Sequence, residues 1–221
     1  MSRERQRLWT GIALISGPAL FFVDNLIHPT ELGRGNAAEQ LDAIASTAER
    51  WQVAHLIGFV ALIVIVGALI GLAFFVARDR PALALVGGAL GVAGSLALAF
   101  AFALDGFTWG TLGELSNRAE LDDATLAAAL EQVQESGWTL PYYALTVAWV
   151  AGIIVLARGA APRIGVRAAV LLGVGALLVG IEGVIADNAY FIASSGIFLI
   201  GGIDAGIAII RERSSDDSVP V

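Results

Sequence analysis

The sequence predicts an all-helical, polytopic membrane protein with six transmembrane spans paired as three up-down hairpins. Composition is the first sign: 57% of the 221 residues are hydrophobic and 15% charged, where a soluble domain carries about a quarter charged. The second is that the apolar residues gather into six runs, each near the roughly 20 residues a helix needs to cross about 30 Å of hydrocarbon. The third is that the basic residues mark alternate ends of those runs. None of the runs alternates as a membrane β-strand must, and backbone in lipid has to satisfy its own hydrogen bonds, which leaves helices.

The runs cover residues 8–27, 53–76, 82–104, 140–156, 168–186 and 189–210, within a single domain of residues 1–213 followed by a disordered tail of residues 214–221. Arg3, Arg5 and Arg7 precede the first run, and Arg78 and Arg80 join the second to the third. Arg158, Arg163 and Arg167 join the fourth to the fifth, and Arg211 and Arg213 follow the sixth. Only Arg34, Arg50 and Arg118 fall at the other ends. The bias of basic residues toward the cytoplasm then puts both termini and the tail inside. Three arginines before an apolar run also resemble a signal peptide, but no small-residue cleavage site follows, so the first helix is expected to stay.

The two long connections lie on the outer side. Asn36 with Glu39 makes a capping box before Leu41, Ile44, Ala45 and Ala48, which recur at helical spacing. In the second connection Asp123 is expected to cap a helix carrying Leu126, Leu130 and Val133, ended by Gly137. Both are expected to be short amphipathic helices. Trp51, Trp109, Trp138, Tyr142, Tyr143 and Tyr190 form an outer aromatic belt and Trp9 marks the inner boundary; Trp149, midway down the fourth run, reads as a packing residue. Asp24, Asp105 and Asp187 end the odd-numbered runs at near-equal spacing, a weak sign of repeated hairpins.

Close packing is written into Gly67 with Gly71, Gly87 with Gly91, Gly202 with Gly206 and Ala13 with Gly17, since small residues let backbones approach in lipid. Besides the lipid bilayer, these glycine-rich faces offer a second copy or another membrane protein a place to bind. No basic stretch interleaved with aromatics suggests nucleic acid. The formal charge of −7 arises mainly in the outer connections. There is no cysteine, which excludes disulfides, thiol catalysis and thiolate-held metals. All thirteen basic residues are arginine, which together with the many Ala, Gly and Val points to a GC-rich prokaryotic genome and hence to a plasma (inner) membrane.

Ionisable groups within the runs are the candidate functional residues, because each costs about 2.5–3.5 kcal/mol at a helix centre. A polar cluster is expected at the outer face from Asp24, His28, His55, Asp105, Glu182 and Asp187. Asp24 and His28 share a helix face, and "VDNLIHP" also reads as a helix exit into water. Glu182 has apolar neighbours on both sides. Asp204, in "GGIDAG", is an intramembrane carboxylate near the cytoplasmic end: it reads either as a second station with Glu182 on a proton or cation path, or as a group that snorkels inward or bonds Arg167, the salt bridge being favoured. His28 and His55 with the carboxylates suit a divalent metal or an acid–base pair. A haem between them is disfavoured because both lie at helix ends. No cofactor is assigned, and no nucleophile elbow, zinc-protease, Walker or dinucleotide motif is present. The reading is a multi-pass membrane protein, non-enzymatic, handling a small solute or ion or serving as an accessory subunit; the alternative is a membrane-embedded enzyme or metal-binding protein using the outer cluster.

Overall fold

The helices follow the apolar runs but overshoot most of them. The computed structural model describes residues 2–29, 36–118, 121–135, 139–185 and 187–212. Among these are eight helices and no strand: α1 Arg3–Ile27, α2 Ala37–Ser46, α3 Ala48–Ala77, α4 Pro81–Asn117, α5 Asp123–Glu135, α6 Thr139–Ile164, α7 Val166–Ile185 and α8 Asn188–Arg211. The tail of residues 214–221, the helix end expected at Gly137 and the belt residue Trp138 lie outside the described residues.

Short polar side chains open α1, α2, α5 and α8 by satisfying their first free amides, whereas α3 and α4 begin without a side-chain cap. The Arg5 amide donates to Ser2 Oγ at 3.3 Å, and the Tyr190 amide to Asp187 Oδ1 at 2.9 Å. Asn36 and Glu39 form the reciprocal capping box of α2. At α5 the cap is Asp122, not Asp123: the Thr125 amide and hydroxyl donate to it at 2.9 and 2.6 Å. Asp123 instead accepts from the Ser116 hydroxyl at 2.7 Å. Gly165, at φ 88°, turns α6 into α7 in the left-handed region that suits glycine.

Five helices are long and apolar enough to cross a membrane: Arg3–Ile27, Ala48–Ala77, Pro81–Asn117, Pro141–Ile164 and Asn188–Arg211. The six longer helices pack in chain order, α1 on α3, α3 on α4, α4 on α6, α6 on α7 and α7 on α8, and α8 closes the ring against α1. Their outward faces are apolar as well. Leu56, Phe74, Leu85, Phe107 and Val147 are all largely exposed, an arrangement that suits lipid and not water. Inside the ring, Leu14, Ile65, Leu69, Leu72, Trp149, Leu156, Leu172 and Ile209 belong to one buried core.

Glycine sets the helix separations. A Cβ on Gly152 of α6 would lie 2.2 Å from the Gly91 amide nitrogen of α4, and one on Gly206 of α8 would lie 2.6 Å from the Gly11 carbonyl oxygen of α1. Gly87, Gly91, Gly202 and Gly206 therefore face neighbouring helices of the same chain, as does Gly71 against Thr10; a Cβ on Gly67 would meet nothing.

The run expected to stop at residue 104 continues unbroken as α4 to Asn117. Gly106, Gly110 and Gly113 give this extension a smooth face on which His55, Gln52 and Ile44 press. Gln52 Nε2 donates to Glu114 Oε1 at 3.0 Å, and Asn117 Nδ2 to the Ala45 carbonyl at 2.6 Å. Leu41 and Ile44 of α2, Trp51, and Leu126 and Leu130 of α5 form a second buried cluster against this extension. Val133, expected on the same face, is exposed instead. Asp105 consequently stands inside a helix rather than at its end.

Candidate functional site

The site forms where α1 ends and α3 begins, beside the extension of α4. His55 is 4% exposed. Its Nε2 lies 3.0 Å from Asp105 Oδ2, and its Nδ1 lies 2.9 Å from the Trp51 carbonyl oxygen. A carbonyl oxygen only accepts, so Nδ1 carries a hydrogen. The Nε2–Oδ2 contact then needs one more proton, held either by the ring or by the carboxyl. Both ring nitrogens are thereby occupied.

The two histidine rings meet. Their centroids are 5.1 Å apart, and both pack on Trp51, at 4.9 Å for His28 and 4.1 Å for His55. The column continues to Trp109 on one side, and through Phe102 to Phe21 on the other. Rings in direct contact leave no slot for a porphyrin between them. His28, one residue beyond α1, has Nδ1 2.9 Å from the Pro29 carbonyl oxygen. Burial first, and the neighbouring His55 second, hold its imidazole well below the ordinary value, so His28 is neutral at pH 7.

Asp24 is the unusual member. It is 1% exposed, and neither carboxyl oxygen has a hydrogen-bond partner. A buried carboxyl without a partner is costly in either protonation state, more so when ionised. Gly58 of α3 makes room for it, since a Cβ there would come within 3.0 Å of Asp24 Oδ2.

Glu182 of α7, 9% exposed, receives the Ser194 hydroxyl of α8 in a short hydrogen bond, with Asn25 of α1 beside it. The same Ser194 oxygen lies 3.0 Å from the Phe191 carbonyl oxygen. One hydroxyl hydrogen cannot serve both acceptors, so a proton on Glu182 would complete the pair.

Below these groups lies a cavity of about 50 Å³ lined by Phe21, Leu62, Leu98, Phe102, Tyr142, Tyr143, Thr146, Trp149, Val179, Gly180 and Glu182. Trp149, read from the sequence as a packing residue, does pack: it is 1% exposed and sits edge-on to Phe198 at 5.7 Å. Its indole N–H nevertheless has no acceptor.

Of the candidate cluster, then, Asp24, His28, His55, Asp105 and Glu182 gather at one end of the ring. Asp187 does not join them; it is exposed and caps α8. Asp204 lies more than two turns along α8 from Ser194, 3.1 Å from Arg167 Nε in the expected ion pair. Among the described residues, no three His, Asp or Glu side chains are grouped so as to hold a metal ion. Asn25, Gly58, Thr146 and Ser194 are site residues that a search for ionisable groups passes over. The adjacent serines Ser194 and Ser195, one helix away from Glu182, were the available signal. No family model matches the chain, and no curated protein or solved structure is significantly similar to it.

Proposed function

We propose that this is a six-span prokaryotic inner-membrane protein, with α7 as the sixth span, that handles a small solute or ion at a buried site near its outer face. The 20 residues of α7 would rise about 30 Å at 1.5 Å per residue, enough for hydrocarbon. The arginines at the other end of the ring support termini on the cytoplasmic side.

The observation that carries the reading is Asp24, a carboxyl buried from solvent with both oxygens unpartnered. Such a group destabilises the fold unless a proton or ligand joins it, and in a membrane it marks a functional site. The enzymatic alternative draws less support, because His55, the more buried of the two histidines, already has both ring nitrogens engaged by the Trp51 carbonyl and Asp105. An accessory role through an exposed glycine face draws less support, because all the paired glycines except Gly67 pack within the chain.

Reconstitution tests the proposal. Vesicles containing the protein and an internal pH indicator should dissipate an imposed pH gradient faster than empty vesicles. Asp24→Asn and Glu182→Gln should return the rate at least tenfold toward the empty control. Wild-type vesicles that behave as empty ones would remove ion handling from the account.

A further inference from the structure

Two buried carboxyls, from different helices, stand beside a space that only water can fill. Asn25, the next residue of α1 after Asp24, lies beside Glu182 of α7 and donates to the Phe191 carbonyl of α8 at 3.5 Å. The Phe102 ring belongs to both surroundings. It forms part of the cavity wall with Glu182, and a Cβ on Gly58 would lie 2.5 Å from it and 3.0 Å from Asp24 Oδ2. The cavity of about 50 Å³ takes a few waters and no organic solute. No histidine or arginine lines it, and Tyr142 and Tyr143 are the other titratable residues in its wall. His55 is engaged by Asp105 and the Trp51 carbonyl, and Arg50 by the Ile27 carbonyl. Among the described residues no group of His, Asp or Glu is placed to hold a metal ion. The cation that such a space can admit is the proton, for which chains of buried carboxyls serve as relays.

Ser194 is placed to follow a proton on Glu182. Its Oγ is in short contact with Glu182 Oε1 and lies 3.0 Å from the Phe191 carbonyl oxygen. With Glu182 protonated, the carboxyl donates to Ser194 and the hydroxyl hydrogen goes to Phe191. With Glu182 ionised, the hydroxyl turns and donates to the carboxylate. The Phe191 carbonyl then keeps a donor, since Ser195 Oγ lies 2.6 Å from it. Glu182 is thus supported in either state, whereas Asp24 has no donor for an ionised one.

We infer that the solute handled at this site is the proton, held on Asp24 and Glu182 and passed between them through the few waters of the cavity, with Ser194 as the positioning residue that turns to follow it. Glu182 releases its proton first, and the Ser194 hydroxyl moves from the Phe191 carbonyl to the carboxylate. Asp24 then gives its proton to a water while a water gives one to Glu182. That leaves Asp24 as an unsupported carboxylate, which takes up a proton before the next cycle. The Phe102 ring, at the boundary of the two surroundings, limits the transfer. The inference rests on the proposed solute-handling role and names the solute.

Infrared spectra of the detergent-purified full chain at pH 7 isolate the two groups, because exposed carboxyls are ionised there. The wild-type protein should show the C=O stretch of two carboxylic acids, one lost in Asp24→Asn and the other in Glu182→Gln. A wild-type spectrum with neither band would overturn the inference, whether or not any variant folds. Vesicles give the second arm, with valinomycin and equal potassium on both sides to carry the balancing charge. The rate at which a pH gradient decays should not change when N-methylglucamine replaces sodium and gluconate replaces chloride. A rate that requires sodium or chloride would overturn the proton assignment and leave the solute-handling role standing. Ser194→Ala should slow the decay at least fivefold, Ser194→Thr should restore most of it, and Phe102→Ala should speed it severalfold. A wild-type rate in Ser194→Ala would overturn the role of Ser194, and no acceleration in a Phe102→Ala protein that elutes like the wild type would overturn the cavity route. Both infrared bands with no flux under any ionic condition would instead remove the handling role on which the inference rests.

Discussion

At the scale of single residues, Asp24 and Glu182 are two carboxyls in opposite circumstances. Glu182 has a hydroxyl and an amide beside it, whereas Asp24 has neither. Leaving a buried polar group unsatisfied costs about 1–3 kcal/mol. Asp24→Leu should therefore raise stability in detergent by about 1–2 kcal/mol while abolishing flux, and thermal unfolding followed beside the vesicle assay checks both. Loss of flux with loss of stability would mark Asp24 as structural. The sequence made both carboxyls legible, because an acid among apolar neighbours is conspicuous. It did not reveal their partners. Helical spacing places His28 on the face of Asp24, yet the His28 ring turns to Trp51 and His55. That choice follows from how α1 crosses α3, which residue spacing within one helix does not encode. Ser194 was marked only by its neighbour Ser195, and weakly, since a serine in an apolar helix ordinarily bonds back to its own backbone.

At the scale of elements, the glycines separate packing sites from open ones. Gly152→Ala would drive a methyl into the Gly91 backbone, and overpacking of that kind costs about 1–3 kcal/mol. Gly67→Ala meets nothing within 4 Å and should be neutral, or stabilising by about 0.5–1 kcal/mol through helix propensity. Unfolding of the two variants in matched detergent checks the contrast; equal effects would mean that α4 and α6 do not pack through Gly91 and Gly152. The short helix α5 adds a pH prediction. Hydrogen bonds from the Thr125 hydroxyl first, and its amide second, hold the Asp122 carboxyl below the usual carboxylate range. A depressed carboxyl stabilises above its unfolded value and loses that contribution as pH falls through the folded one. Amide exchange in α5, corrected for intrinsic rates, should thus stay slow at neutral pH and accelerate several-fold below about pH 4. Asp122→Ala should accelerate it at every pH. A flat profile would remove Asp122 as the cap. The apolar face of α5 was legible at Leu126 and Leu130, but the choice between two adjacent aspartates was not. It turns on Thr125, which lies three residues after Asp122 and so presents its amide there. The length of α4 was equally hidden, since Gly106, Gly110 and Gly113 look like helix breakers until α2 and α3 are seen packed on them.

At the scale of the whole molecule, the ring gathers buried carboxyls at one end and arginine ion pairs at the other, with hydrocarbon between them. Glu182 belongs to the polar end. Asp204 pairs with Arg167 well down α8, with Phe198, Gly201, Gly202 and Ala205 buried between Ser194 and the Arg167 end of the helix. The two carboxyls therefore do not share an open path in this conformation, and passage across the membrane would need the ring to open. Apolar runs and alternating arginines were legible because lipid and the charge bias act on each segment separately. Closure of α8 against α1 was not, because it depends on small residues at opposite ends of the chain meeting face to face.

The central claim is six passes, with the carboxylate site at the end opposite the arginines. The absence of cysteine makes single-cysteine labelling direct, using Glu4→Cys and Val166→Cys for the arginine-rich end and Glu131→Cys and Ala189→Cys for the site end. A membrane-impermeant maleimide applied to intact cells should label the Glu131 and Ala189 variants, and should reach the Glu4 and Val166 variants only after lysis. Labelling of the Val166 and Ala189 variants from the same side would show that α7 does not cross and contradict the six-pass arrangement; labelling of the Glu4 variant from outside would contradict the cytoplasmic placement of the arginine-rich end.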